Sequence, residues 1–328
     1  MRTKNPDLTY GFTLLELVVV LAILAVITTL ATREIGHVQD QQRFEAAQRG
    51  LEDIEHAILG SPEDRLPDGT RVAAGFVADM GRLPRTTGTN QLTLGELWIR
   101  PVTPFDVRAA VQSNGVAASS EDPEVLVPGG WRGPYVRLPL GTDALRDGWG
   151  NPYISPVELS PADANGTGYA RLRDAGDNAL TSIGQEIRII RHLGANGLRD
   201  LSDTGYDRDV AITFSNAVVL AALRGHVEVL NGSSPAVADP ADTVTVRVFG
   251  PDPDDSGRIR VWSTSLPFAS NPVVWEIPAT DGLTIGPRVV RAYFNDVNGS
   301  GTSNYRKGAV KTVMLSTGVN LLDLQIDR

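Results

Sequence analysis

The sequence predicts an α+β protein: a long N-terminal helix, transmembrane in its first part and amphipathic in its second, packed on a small antiparallel sheet and followed by an all-β sandwich. Three observations lead there. An apolar run fills Phe12 to Ala31, a stripe of helical period continues it to Leu59, and from about Ala217 onward short alternating segments are separated by turn clusters. The expected organisation is a polar leader over 1–11, the helix over 12–60 with 12–31 in the membrane, a head with inserted loops over 61–215, and the sandwich over 216–328.

At 328 residues the chain has room for two modest domains beside an anchor. Its 30 Lys and Arg against 39 Asp and Glu give a net charge of -9, the wrong sign for a surface that tracks phosphate backbones, so nucleic acid is not an expected partner. Cysteine is absent, which removes disulfides, thiolate metal sites and a cysteine nucleophile. The 33 Gly and 21 Pro point to many turns around short strands.

The leader carries Arg2 and Lys4 ahead of the apolar run, favouring a cytoplasmic start. A secretory signal would be cut after its apolar stretch, whereas here the stretch would survive processing. About 20 residues of Val, Leu, Ile and Ala suffice to span a hydrocarbon core as a helix. Glu16 interrupts them, and an ionisable group at that depth is costly without a partner.

The run Gly11-Phe12-Thr13-Leu14-Leu15-Glu16-Leu17 resembles the processing motif of type IV pilins and type II secretion pseudopilins. The resemblance implies a prepilin peptidase that cuts between Gly11 and Phe12, N-methylation of Phe12, and pairing of Glu16 with the new amino terminus of a neighbouring subunit. Two opposite charges that are each expensive in lipid become tolerable as a pair, so such pairing rewards one register of docking.

Beyond the membrane segment Phe44, Ala47, Leu51, Ile54 and Ile58 recur three and four residues apart, beside Glu45, Arg49, Glu52, Asp53 and Glu55. That stripe is expected to pack on a sheet. Continuous from Phe12 to Leu59, the helix would run roughly 70 Å, and Gly60-Ser61-Pro62 supplies its stop. Arg33 stands where many pilins have a Pro, leaving Gly36 as a weaker flexible point.

Residues 62–128 read as a loop region with short ordered pieces at Gly95 to Trp98 and Arg108 to Val111, either a partner surface or a cover for the sheet. Next come Gly130 to Tyr135 and Arg146 to Tyr153, which together resemble the head of the major pseudopilin of type II secretion. Gly148 replaces that family's usual Pro, a change expected to loosen the turn. Taken alone, Trp149-Gly150-Asn151-Pro152-Tyr153 is also a tight turn with an aromatic footing. Glu186 to Arg191 and Asp209 to Phe214 read as strands.

Between those strands lie Leu193, Asn196, Asp200, Asp203, Asp207 and Asp209, in a layout similar to the calcium loop of major pseudopilins, with Asn196 where Asp is usual. The resemblance implies bound Ca2+. Converging carboxylate, amide and carbonyl oxygens suit a hard cation, while a solvated Asx-turn loop is the alternative. Asp174 to Asn178 forms a second, weaker acidic patch.

Strands are expected at Gly225–Val229, Thr243–Phe249, Arg258–Trp262, Val273–Ile277, Pro287–Phe294 and Asn320–Ile326. The stretch from Trp275 through Gly282-Leu283-Thr284-Ile285-Gly286 to Tyr293 resembles carboxypeptidase-regulatory-like or prealbumin-like domains, most of which bear no catalytic site. Trp262, Trp275 and Tyr293 would serve either as core or as a binding face. The four His have no metal-ligand spacing, and hydrolase elbows, phosphate loops and dinucleotide fingerprints are missing from the sequence, so no enzyme is expected.

The function implied is that of a structural subunit of a type II secretion pseudopilus or type IV pilus-like filament. Its head would be periplasmic, and its partners prepilin peptidase, other pilin or pseudopilin subunits and the inner-membrane assembly platform. The alternative is a minor pilin or adhesin whose sandwich binds a cargo protein or surface ligand.

Overall fold

The computed structural model describes residues 14–65, 74–89, 91–100, 125–156, 170–199, 204–253, 259–297 and 304–328. Helix α1, Leu14–Leu59, is one 46-residue element. From Leu14 to Leu30 its large apolar side chains are exposed on every side, and Ile35 and Val38 continue the exposure. The head grips only the last third, burying Ala47, Leu51, Ile54 and Ile58. Four of the five stripe residues are thus core, and Phe44 is half-buried at their leading end. Gly60, at φ 85, returns its N–H to the His56 carbonyl and ends the helix as expected of a left-handed cap.

Helix α2, Phe76–Met80, has all five side chains buried. A two-stranded ladder joins β1, Gln91–Thr93, to β2, Ile154–Pro156. Beside it β3 (Leu172–Arg173), β4 (Ile189–His192) and β5 (Val210–Thr213) form an antiparallel sheet in that order, with β4 and β5 against α1. The expected strands start up to three residues later than the sequence indicates. Gly95–Leu97 is a single 3-10 turn, and residues 108–111 lie outside those described.

After the short helix α3 (Asn216–Val219), two five-stranded sheets follow. In the first, β6 (Ala221–Asn231) is central and pairs with the short β7 (Ser234–Pro235). The second sheet opens with β8 (Asp239–Pro251) and β9 (Ile259–Phe268), before β10 (Val273–Ile277) returns to β6. Next, β11 (Gly286–Asp296) pairs with β8, β12 (Asn304–Lys307) and β13 (Lys311–Leu315). Finally β14 (Gly318–Leu321) and β15 (Leu324–Asp327) lie parallel to β6. The segment Gly282 to Gly286 carries the chain from one sheet to the other. Trp262, Trp275 and Tyr293 are core residues, none more than 5 % exposed.

The single strand expected over Asn320–Ile326 is two. Gly225 of β6 meets the Leu322 main chain so closely that a Cβ there would lie 1.9 Å from the Leu322 oxygen. Leu322 donates its N–H to the Arg224 carbonyl, and the Asp323 carboxylate accepts the His226 N–H, breaking the ladder between β14 and β15.

One hydrophobic core runs from Leu51 of α1 through Phe76 and Met80 of α2 into both C-terminal sheets. At the crossing, Arg288 is fully buried and donates to the carbonyls of Ala78, Pro287 and Ile285 and to Thr284 Oγ1, at 2.6 to 3.3 Å. Burial lowers its pKa to about 9, partly opposed by the charge of Asp79. Gly286, at φ 115, lets β11 approach α2, since a Cβ would lie 2.6 Å from Ala78 Cα. Gly286→Ala is therefore expected to destabilise the full chain by about 1–3 kcal/mol, read as a lower unfolding midpoint in detergent.

Candidate functional site

Two places carry the residues singled out by sequence: the start of α1, and the seam where the head meets its far end. Gly11 and Phe12 lie outside the described residues. Glu16 sits in the first turn of α1, exposed among Leu14, Leu15, Leu17 and Val18. Among the described residues, α1 is the one helix long and apolar enough to cross a membrane. Thr28 and Thr29 within it donate their hydroxyls to the carbonyls of Leu24 and Ala25, 2.7 and 2.8 Å, which makes them tolerable in lipid. The Glu16 carboxylate, an acceptor only, cannot use that device of donating to helix carbonyls.

The turn at Asp147–Asn151 seats the head on α1. Asp147 Oδ1 accepts the N–H groups of Trp149 (3.0 Å) and Asn151 (2.8 Å), closing the turn around its own carboxylate. At Gly148 the turn touches the helix backbone: a Cβ would stand 1.9 Å from the Arg43 oxygen and 2.8 Å from Ala47 N. The expectation of a looser turn is thereby corrected, because glycine here permits backbone-to-backbone contact. The Arg43 guanidinium covers Trp149 at 5.8 Å, and Tyr153 is buried against Gly50.

The Gly130 to Tyr135 stretch holds α2. Gly130 donates its N–H to the Asp79 carbonyl, while Tyr135 Oη donates to Asp79 Oδ2 at 2.8 Å and Arg132 stands 3.3 Å from Oδ1. Burial raises the pKa of both Asp79 and Tyr135, with their hydrogen bond opposing the rise at Asp79 and adding to it at Tyr135.

The described members of the acidic loop are spread along it. Leu193 is buried and its carbonyl accepts the Gly197 N–H; Asn196 Oδ1 accepts the Leu198 N–H at 2.8 Å as an Asx turn. Asp207 is exposed, and Asp209 Oδ2 lies 3.6 Å from Arg191. Asp200 and Asp203 lie outside the described residues. Among the described residues no group of three His, Asp or Glu side chains is placed to hold a metal ion.

Sequence reasoning missed what pins this loop to α1. His192 is fully buried, its ring edge-on to Phe44 at 5.4 Å, while Tyr206 meets Phe44 at 6.0 Å and Arg208 covers it at 5.7 Å. Burial, with help from Arg171 and Arg208, lowers the His192 pKa to about 4. Its unprotonated Nδ1 accepts the Gly194 N–H at 3.3 Å. Apolar periodicity in α1 points to Phe44, but a histidine at the end of a strand gives no such signal.

Comparison with protein families matches residues 9–32 to the prokaryotic N-terminal methylation motif. Those residues include Gly11, Phe12, Glu16 and exposed apolar residues of α1, and the match supports a type IV pilin-like protein processed at its N-terminus. It also implies processing by prepilin peptidase and assembly with other pilin subunits. Neither the curated proteins nor the solved structures contain a match to the chain.

Two expectations follow from the seam. Gly148→Pro should lower the unfolding midpoint of the full chain in detergent, because any Cβ meets the α1 backbone. Acidification should also cost stability. A base whose folded pKa is about 4, against 6.5 unfolded, leaves its contribution intact above 6.5 and loses it as pH falls toward 4, by at most about 3 kcal/mol. Melting wild type and His192→Gln in parallel should show the wild-type advantage shrinking across that window.

Proposed function

We propose that the chain is a structural subunit of a type II secretion pseudopilus or type IV pilus-like filament. Cut before Phe12 and N-methylated there, it would be held in the inner membrane by the first part of α1, head outward, until the assembly platform inserts it. One observation carries this reading. The methylation-motif match falls on the part of α1 whose apolar side chains the head leaves uncovered, and Glu16 is set among them.

The physics of that surface supports a filament. From Leu14 to Leu30, and at Ile35 and Val38, the large apolar side chains are exposed, so lipid and then the helices of other copies would cover them. Glu16 rewards only the neighbour whose terminal amine reaches it, which sets the axial register. The role is architectural rather than catalytic.

A second reading, a minor or tip subunit that binds a cargo protein or surface, draws support from the first C-terminal sheet. Its outer face presents Val274, Val319 and Leu321, from 56 % to 71 % exposed. Labelled copies along the whole fibre support a major subunit, and copies only at the tip support the second reading.

The mature protein is expected to begin at N-methyl-Phe12 by mass spectrometry; an uncut start removes the assignment. Glu16→Ala should be cut normally, yet its share in sheared filaments should fall at least about tenfold, because the neighbour's amine is left uncompensated. Wild-type incorporation of that variant would refute the role given to Glu16.

A further inference from the structure

The head's acidic loop lies beside a group of arginines, two of them buried. Arg173 of β3, Arg191 of β4 and Arg199 of the following loop all turn toward Asp177, which sits in the turn after β3 at φ 60. Arg191 Nη2 is 3.3 Å from Asp177 Oδ1 and Arg173 Nε is 3.7 Å from it, while Arg199 Nη2 contacts Oδ2. The other terminal nitrogen of Arg191, Nη1, is 3.6 Å from Asp209 Oδ2 at the head of β5. Arg173 also donates Nε–H to the Ala170 carbonyl and Nη1–H to the Asp177 carbonyl.

One guanidinium therefore joins two carboxylates from the segments on either side of β4. That is the task a calcium ion performs when it gathers a loop. A guanidinium can do it without a metal: Nη2 donates to both Asp177 oxygens at 3.3 and 3.4 Å, while Nη1 faces Asp209 as an ion pair. The side chains of Arg173, Arg191 and Asp209 are 1 %, 8 % and 5 % exposed, so water screens the Arg191–Asp209 pair poorly, while Asp177 and Arg199, at 27 % and 19 %, lie at the cluster's edge. Arg171, 3.7 Å from Asp147, adds a further cation nearby. A divalent ion brought among these guanidinium groups would meet like charge.

We propose that the guanidinium groups of Arg173, Arg191 and Arg199 take the place of a structural cation in this head, so that the loop before β5 is held without calcium. Asp177 and Asp209 then balance arginines from within the fold and need no ion from solution.

Thermal unfolding of the purified full chain in detergent tests this, with calcium chloride or a calcium chelator as the only variable. The wild-type midpoint should be the same in both, and equilibrium dialysis should find less than a stoichiometric amount of bound calcium. Arg191→Met should lower the midpoint by several degrees, because two carboxylates lose their shared partner, and calcium should not restore it. Arg191→Lys keeps the charge and loses the fork, so it should fall between the two and be equally indifferent to calcium. A chelator-induced drop of more than about 2 °C in wild type, reversed by calcium, would overturn the proposal. So would an Arg191→Met protein that melts like wild type.

Discussion

Arg288 holds a charge where no water reaches it, and its guanidinium bonds only to backbone carbonyls and one threonine hydroxyl. Those carbonyls belong to α2, to the bend before β11 and to the start of β11 itself, so the head and the two-sheet unit meet around one cation. The arrangement depends on small residues: Gly286 against Ala78, and Gly81 against Pro251. It depends also on Asp79, whose carboxylate is fastened by Tyr135 and Arg132 and whose charge lies close enough to favour the ionised Arg288. A buried cation of this kind specifies an arrangement rather than adding much stability, since an apolar replacement of similar volume commonly costs little.

The other determinant is α1, which belongs to two solvents. Toward its C-terminal end it supplies Leu51, Ile54 and Ile58 to the common core, and toward its start it offers a mainly apolar surface with Glu16 set in it. The boundary falls near Phe44, where His192, Tyr206 and Arg208 close over the helix. Calcium, implied by the resemblance of the loop at Leu193 to Asp209, is replaced in our reading by arginines of the sheet itself.

Legibility in the sequence followed how local each signal was. The helix was plain, because its apolar run and its stripe repeat over many turns. Strand β10 was read to the residue because Val273, Trp275 and Ile277 alternate inward with Val274 and Glu276 between them facing out. Helix α2 was not read: five residues make little more than one turn, and with every one buried there is no polar face to reveal the period. Arg173, Arg191 and Arg288 look solvent-facing in a strand pattern, and only their distant partners explain their burial. The break between β14 and β15 is equally non-local, since it answers to Gly225 nearly a hundred residues earlier. Strands β12 and β13, short and each carrying a basic residue, were not singled out. The Glu16 motif was legible because it is contiguous, whereas the Phe44–His192 contact joins residues far apart in the chain.

The single helix that leaves the apolar zone and ends inside the head's core has a mechanical meaning. Tension applied to a fibre of such subunits would travel along α1 and enter the packed interior through Leu51, Ile54 and Ile58. Because the same interior continues past Arg288 into the far sheets, the pull would be shared by the whole subunit rather than borne at a tether.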